Sequence, residues 1–378
     1  MGTHLRFSTL KIILFLYTGW LIGCEKTHTK DNIFPQGIQL AKIEGETLTL
    51  TNTENNTLFH SNIQDLTLYT ITQNNTKQFY KEGIDYIVTN NSIARTPDSN
   101  IPNFAFHKVI YSPPLHKFQW NSEPDRNPEL TLPYQIYADY FYIPINDPLC
   151  HLSTQITEKL HQKLISGAPL KIISVGTSIT FGAHTFCQYY FQQDIQTYPH
   201  LIAKALTSLY GSQCTLLNKS IDGGGVNQIQ NLSSILKDNP DIIFVELGMN
   251  DHTYNDDPSY INYFQSSIDN AIKIFKQHNI DVILVGFFQQ NEEWELENPE
   301  KTILFNSILK KTAEKYNIYF ADIYQRFAPI DKTKLYKDYM GDYMHHPTSF
   351  GHQLYYLEII PFFLQQPTKQ SELLNYIY

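Results

Sequence analysis

The hydrophobic and polar positions of this chain follow two different patterns, one before and one after about residue 170. From Gly37 to about Pro144, short stretches such as 48–51 and 66–71 alternate between apolar and polar residues at a period of two. Clusters of Asn, Gly, Asp and Pro separate these stretches, as turns separate β-strands. The pattern predicts a small β-sandwich in this part of the chain.

From Leu170 onwards, apolar strands alternate with amphipathic helices. The predicted strands cover Lys171–Val175, Cys214–Leu217, Asp241–Leu247, Val282–Phe287 and Ile318–Asp322. The predicted helices cover Tyr198–Tyr210, Val226–Lys237, a long stretch that begins at Pro258, Glu300–Tyr316 and Phe350–Phe363. Buried strands that alternate with helices indicate a three-layer α/β domain built around a parallel five-stranded sheet.

These two patterns predict a division of the chain, which at 378 residues exceeds the usual size of a single domain. We expect a β-rich accessory domain over residues 37–150 and a linker helix over 151–169. An α/β domain is expected over 170–367, followed by a short tail over 368–378.

The N-terminus has the pattern of a targeting segment. Arg6 and Lys11 precede an apolar stretch, 12–22, that is too short to span a bilayer. The stretch ends in Leu-Ile-Gly-Cys, which resembles the lipobox of bacterial lipoproteins and implies lipidation of Cys24. We therefore expect a lipoprotein signal peptide over 1–24, a tether over 25–36 and an extracytoplasmic, membrane-anchored protein. A plain secretory signal and an uncleaved anchor are the alternatives.

The charge of the chain limits its possible partners, and its cysteine count limits its possible disulfides. The formal net charge is -9 and the chain has no basic run, which argues against nucleic acid as a partner. Three cysteines remain beyond Cys24, namely Cys150, Cys187 and Cys214. An odd number permits at most one internal disulfide, and their pairing stays open.

Chemically useful residues follow the ends of the predicted strands or lie in the last loop. Ser178 comes after the first strand of the α/β domain, Gly223 after the second and Asn250 after the third. Asp342 and His346 lie in the loop before the last helix. Sites in parallel sheets collect at the carboxyl ends of the strands, so we expect these residues to meet there.

These residue types together suit the cleavage of an ester. Ser178 is the candidate nucleophile, His346 the base, and Asp342 the acid that orients the base. The backbone N–H groups of Ser178 and Gly223 and the side chain of Asn250 are candidate donors to the oxyanion. No carboxylate-rich stretch accompanies His345 and His346, so we expect no metal.

The four blocks resemble the SGNH, or GDSL-type, hydrolase superfamily over about residues 170–363. They read Gly176-Thr177-Ser178, Asn218-x-Ser220-x-x-Gly223, Gly248-x-Asn250-Asp251 and His346-Pro347, the last followed by Gly351-His352. The resemblance implies a flavodoxin-like fold, no cofactor, and hydrolysis of small acyl esters of carbohydrates or lipids. The β-rich N-terminal part is similar to the accessory domain of some carbohydrate esterases.

Two positions depart from the pattern of the superfamily. Thr177 stands where the family has an Asp, which removes an acidic group beside the nucleophile. The usual Asp-x-x-His is stretched by one residue, to Asp342-x-x-x-His346. The sequence therefore leaves open whether Asp342 reaches His346 or another acceptor orients the base.

The expected function is that of a membrane-tethered serine esterase that removes small acyl groups, most simply acetyl, from carbohydrates. One alternative is a lipid or lysophospholipid esterase with the same mechanism. A second alternative, suggested by the two departures, is a non-catalytic lipoprotein that binds glycans.

Overall fold

The computed structural model describes residues 40–72, 74, 76–104, 111–112, 117–118, 131, 133–144, 149–150, 156–183, 185, 197–254, 257–330 and 334–378. Residues Gln39–Tyr378 cluster as one compact unit. The predicted signal peptide, Cys24 and the predicted tether lie outside the described residues, and so does Cys187.

Sixteen strands lie within the described residues. They are β1 (Ala41–Thr49), β2 (Asn56–Thr57), β3 (Ile63–Ile71), β4 (Lys77–Phe79), β5 (Tyr86–Thr89), β6 (Ser92–Arg95), β7 (Tyr111–Ser112), β8 (Lys117–Phe118), β9 (Gln135–Tyr142), β10 (Leu149–Cys150), β11 (Leu170–Gly176), β12 (Cys214–Asn218), β13 (Ile242–Glu246), β14 (Asp281–Val285), β15 (Tyr319–Ala321) and β16 (Thr368–Lys369).

The described α-helices number eleven, and two 3₁₀ turns accompany them. The α-helices are α1 (Glu158–Ile165), α2 (Ser178–Phe181), α3 (Tyr198–Tyr210), α4 (Ser233–Leu236), α5 (Met249–Tyr254), α6 (Pro258–Gln277), α7 (Pro299–Tyr316), α8 (Ile323–Phe327), α9 (Tyr336–Tyr339), α10 (Ser349–Ile359) and α11 (Gln370–Leu374). The 3₁₀ turns are Val226–Gln230 and Ile360–Phe363.

The α/β part is built on a five-stranded sheet in the order β12-β11-β13-β14-β15, and every neighbouring pair is parallel. All five residues of β13 and of β14 are buried, as expected for strands covered on both faces. Right-handed crossovers in this order put helices on both faces of the sheet. The prediction of a parallel five-stranded sheet is confirmed.

Strand order reverses between β11 and β13, because β12 lies on one side of β11 and β14 on the far side of β13. Ligands of open α/β sheets bind at this switch point, outside the carboxyl ends of the strands. Ser178 directly follows β11, and Asn250 follows β13. The topology therefore brings two of the candidate residues to one crevice.

Local sequence signals explain where the long helices begin and end. The side chain of Asp257 accepts from the N–H of Ser259, and that of Asn298 from Lys301, so each caps a helix that begins with proline. Helix α3 covers Tyr198–Tyr210 as predicted, and Gly211 ends it in the left-handed conformation (φ 67°).

One predicted helix is wrong. The stretch Val226–Lys237 is not continuous, because a 3₁₀ turn over Val226–Gln230 is separated from α4. Asn231 has φ -92° and ψ 65°, a conformation that no helix contains, and it interrupts the hydrogen-bonding pattern. Apolar spacing alone did not indicate this break.

The β-rich N-terminal region contains a four-stranded antiparallel sheet in the order β1-β9-β3-β4 and a three-stranded sheet in the order β2-β6-β5. Strand β1 contacts α9, α10 and α11. The segment predicted as a tail is folded, since β16 pairs with β10 and Leu373, Leu374 and Ile377 are buried. The sandwich arrangement and the domain boundaries stay predictions.

No helix among the described residues combines the length and the apolar character that crossing a bilayer requires. Cys214 is a free thiol, half-buried at the start of β12. Burial raises the pKa of this thiol, which disfavours the reactive thiolate.

Candidate active site

Ser178 lies in a tight turn between β11 and α2. Thr177 caps the helix, with its hydroxyl accepting from the N–H of Ile179, and Ser178 is the first helical residue. The first N–H groups of a helix have no acceptor within that helix, so the Ser178 N–H points out of it. Gly182 ends this short helix with φ 101°. The turn fixes a hydroxyl and an N–H side by side.

Ser178 and His346 are 168 residues apart in the sequence, yet their side chains meet. The Nε2 atom of His346 lies 2.7 Å from Ser178 Oγ. The Nδ1 atom of the same ring lies 2.5 Å from Oδ2 of Asp342. Ser178 is 3% exposed, His346 9% and Asp342 0%. The three groups form one hydrogen-bonded chain that is almost closed to water.

The longer spacing between Asp342 and His346 is absorbed within the loop itself. Oδ1 of Asp342 accepts three successive backbone N–H groups, from Met344 (2.9 Å), His345 (3.0 Å) and His346 (3.0 Å). Tyr343 has φ 65°, a left-handed conformation that is costly for a bulky residue. The chain thus curls around the carboxylate, which leaves Oδ2 facing the imidazole.

Gly223 and Asn250 approach each other from the ends of β12 and β13. The Nδ2 atom of Asn250 donates to the carbonyl oxygen of Gly224 at 2.8 Å. Gly223 has φ 70°, which glycine adopts without strain, and it is exposed. Asn218 connects this turn to helix α2, which begins at Ser178, because its Nδ2 donates to Thr180 O at 2.8 Å and its Oδ1 accepts from Ser220 N at 3.1 Å.

A buried carboxyl group that sequence reasoning missed lies beneath the nucleophile turn. Oε2 of Glu246, at the end of β13, accepts from Thr177 N (3.0 Å), Thr177 Oγ1 (2.8 Å) and Thr180 Oγ1 (2.9 Å). Burial raises the pKa of Glu246 to about 7, against the opposing effect of these hydrogen bonds. A single charged residue inside the apolar stretch 242–247 was the signal that could have identified it.

A second missed residue, Asp251, organises the loops behind Asn250. Its carboxylate accepts from Val226 N (2.9 Å), Gly248 N (3.0 Å) and the hydroxyl of Tyr260 (2.6 Å). Burial raises the pKa of Asp251. Its position next to Asn250 in the third block was the only signal of this role in the sequence.

His345, the neighbour of the candidate base, has different contacts. Its ring stacks on Trp294 with centroids 5.2 Å apart, and its centroid lies 4.1 Å from that of the His346 ring. Asp342, His345 and His346 bring one possible metal-ligating atom each to within 4.8 Å of one another. Both ring nitrogens of His346 are already engaged, by Ser178 and by Asp342, so the arrangement suits proton transfer better than metal binding.

A serine hydroxyl, an imidazole and a carboxylate in one hydrogen-bonded chain at the strand ends of an α/β sheet are the components of a serine hydrolase. Residues 174–354, a little less than half of the chain, match the sequence model of the GDSL-like Lipase/Acylhydrolase family. This part of the chain is a GDSL-like acylhydrolase domain. The chain is an ester-hydrolysing serine hydrolase.

Solved structures similar to the chain include Axe2, an acetylxylan esterase from Geobacillus stearothermophilus. It has 19% sequence identity and a TM-score of 0.43, over 52% of this chain and 94% of that chain. Another is LAE5, an α/β hydrolase from the metagenome of Lake Arreo, with 15% identity and a TM-score of 0.43, over 51% of this chain and 94% of that chain. No curated protein matches the sequence.

Proposed function

We propose that this chain is an extracytoplasmic serine esterase, tethered to a membrane through Cys24, that removes small acyl groups from carbohydrates. One observation carries the catalytic part of the proposal: His346 bonds Ser178 through one ring nitrogen at 2.7 Å and Asp342 through the other at 2.5 Å. This continuity favours catalysis over the alternative of a glycan-binding protein without activity.

In the proposed mechanism, Ser178 Oγ attacks the carbonyl carbon of the ester while His346 Nε2 takes its proton. The carboxylate of Asp342 stabilises the imidazolium that forms and keeps the proton of the neutral ring on Nδ1. Collapse of the tetrahedral intermediate releases the alcohol, which receives the proton from His346. Water then repeats the sequence on the acyl-enzyme and regenerates Ser178. These steps need no cofactor.

The oxyanion is proposed to bind the N–H groups of Ser178 and Gly223 and the side chain of Asn250. An amide nitrogen carries two hydrogens, and the bond from Asn250 to Gly224 O engages one of them. That bond also fixes the direction of the second hydrogen before substrate arrives. Donors held in this way stabilise the transition state at no cost of reorganisation.

The proposed acyl group is small, and the proposed alcohol is a carbohydrate. Ser178 is 3% exposed, and a hydroxyl this buried is reached more readily by a small acyl group than by a long chain. The carbohydrate part follows the resemblance of the four sequence blocks. A lipid esterase of the same mechanism remains the alternative, and the acyl chain length decides between the two.

The catalytic proposal is tested with Ser178→Ala on p-nitrophenyl acetate and on acetylated oligosaccharides. Ser212→Ala is a matched control, since Ser212 is fully buried, its hydroxyl has no partner among the described residues, and it precedes the opposite end of β12. We expect Ser178→Ala to lose activity and labelling by a fluorophosphonate probe, and Ser212→Ala to keep both. Equal turnover by wild type and Ser178→Ala contradicts the proposal.

The anchor and the substrate are tested separately. Cys24→Ala is expected to move the protein from the membrane fraction to the soluble fraction of the secreting cell, without loss of esterase activity. A ladder of p-nitrophenyl esters from acetate to dodecanoate is expected to show the highest kcat/KM for acetate. Preference for the long chains would favour the lipid alternative instead.

A further inference from the structure

The loop over residues 340–348 carries Asp342 and His346 and is called the catalytic loop below. The β-rich N-terminal region contacts this loop at the two residues that precede Asp342. The single hydroxyl hydrogen of Thr131 is shared between the carbonyl oxygens of Met340 (2.9 Å from Oγ1) and Gly341 (2.5 Å). Nε2 of Gln135, at the start of β9, donates to the same Met340 oxygen at 3.2 Å. Thr131 lies 209 positions before Met340, so only the folded chain brings them together.

A second group of bonds holds the two ends of this loop against strands β1 and β2. The hydroxyl of Thr47 donates to the carbonyl oxygen of Asp338 (2.5 Å) and bonds the hydroxyl of Thr348 (2.9 Å). The carboxylate of Asp338 accepts from Thr49 N (2.9 Å) and from Nδ2 of Asn56 (2.6 Å). Residues on both sides of Asp342 and His346 are therefore attached to the N-terminal region.

These contacts are buried, so each polar group depends on its partner within the protein. Thr47, Thr131 and Asp338 are each 0% exposed, so a broken bond would leave a polar group without water to replace its partner. The loop is also closed on itself, because Gly341 N donates to His346 O at 2.8 Å. A displacement of Gly341 would therefore move both Asp342, which follows it, and the backbone of His346.

We propose that the N-terminal β region positions the acid and base of the active site, with Thr131 as the positioning residue. The proposal rests on the function proposed for Ser178, His346 and Asp342. The region then has a role in the reaction itself, in addition to any role in binding a glycan. Thr131 does not touch the reacting atoms and acts by holding the two carbonyl groups that precede Asp342.

The test compares Thr131→Val with Thr131→Ser in the full-length protein. Valine keeps the shape of threonine but cannot donate, whereas serine keeps the hydroxyl. Misplacement of catalytic groups by about 1 Å costs on the order of 10²-fold in rate, so we expect Thr131→Val to lower kcat by about 10- to 100-fold. Because the substrate itself is not contacted, KM should change by less than about 3-fold, and Thr131→Ser should recover most of kcat.

Thr51→Val serves as the control for the loss of a buried threonine hydroxyl in the same region. Thr51 is 5% exposed, and among the described residues its hydroxyl accepts only within its own turn, from Glu54 N at 2.9 Å and Thr53 N at 3.4 Å. This variant is expected to keep wild-type kcat. A fall in kcat equal to that of Thr131→Val would show a general effect of destabilisation and overturn the proposal.

If Thr131→Val keeps wild-type kcat, the positioning role is wrong. The proposed function is judged separately, because it stands as long as Ser178→Ala loses activity. If Thr131→Val does not fold, Gln135→Met removes the weaker bond to Met340 with little change in volume. That variant is expected to lower kcat by about 3- to 10-fold at unchanged KM, a fraction of the loss that misplacement of catalytic groups can cause. Wild-type kcat in this variant also overturns the proposal.

Discussion

The replacement of Asp342 by Asn tests the catalytic loop most directly, because the structure dictates how the new amide would be oriented. Three backbone N–H groups point at Oδ1 of Asp342, and an amide oxygen can accept them whereas an amide nitrogen cannot. The oxygen of the new amide would therefore take the Oδ1 position. The amide nitrogen would then take the Oδ2 position and face His346 Nδ1.

That orientation reverses the hydrogen bond to the imidazole. An amide nitrogen donates, so Nδ1 of His346 would have to accept, and the ring proton would move to Nε2. Nε2 would then point a proton at Ser178 Oγ, 2.7 Å away in the wild-type protein, and could not remove the serine proton. The same substitution in a serine protease triad lowers kcat by about 10⁴-fold through the wrong tautomer. We expect a similar loss for Asp342→Asn, or about 5 kcal/mol in activation free energy.

The assay measures kcat and KM on p-nitrophenyl acetate, together with thermal unfolding. Asp342→Asn should unfold near the wild-type temperature, since the three backbone bonds survive. Asp85→Asn is the matched control, because Asp85 is 4% exposed and its carboxylate accepts the N–H groups of Lys81 and Asn100, both at 2.9 Å, in the N-terminal region. The control should keep kcat. If Asp342→Asn keeps kcat within about tenfold of wild type, the loss is far smaller than a wrong tautomer causes. That result would refute the orienting role of Asp342.

Two further predictions concern the groups around the nucleophile. Burial raises the pKa of Glu246 from 4.5 to about 7, so the folded chain keeps this proton longer than the unfolded chain. The free energy of unfolding of wild type, relative to that of Glu246→Gln, should therefore fall by up to about 3 kcal/mol between pH 4.5 and 7 and stay constant above pH 7. Urea unfolding of both proteins across this pH range measures the difference, and parallel pH profiles would contradict the prediction. Asn250→Ala should lower kcat by about 10²- to 10³-fold, the typical effect of losing one oxyanion donor; a change in KM alone would exclude that role.

The sequence predicted the α/β part of the fold well because its signals are local. Apolar runs, proline at Pro258 and glycine at Gly211 determine where strands and helices begin and end. Parallel strands then put their carboxyl ends on one edge, so residues after successive strands meet there. The placement of Ser178 and Asn250 at one edge follows from this topology, and no long-range pairing had to be known.

Features that depend on contacts between distant residues could not be predicted in this way. The spacing of Asp342 and His346 was ambiguous because their contact depends on how the loop backbone folds, with Tyr343 at φ 65° and three N–H groups bonded to Asp342. The bonds from Thr131 to Met340 and Gly341 join the two halves of the chain and leave no periodic pattern. In each case the outcome depends on tertiary packing, which overrides local preference.

Thr177, where the superfamily has an Asp, shows how one such contact changes the meaning of a motif. The sequence suggested that an acidic group beside the nucleophile was missing, but Glu246 supplies a carboxyl group there from the neighbouring strand. An Asp at 177 would bring a second carboxylate against Oε2 of Glu246 in a buried site, where like charges repel strongly. The hydroxyl of Thr177 donates to Oε2 of Glu246 and also accepts from Ile179 N. An ionised Asp side chain could accept but not donate, so threonine suits this site and Asp does not.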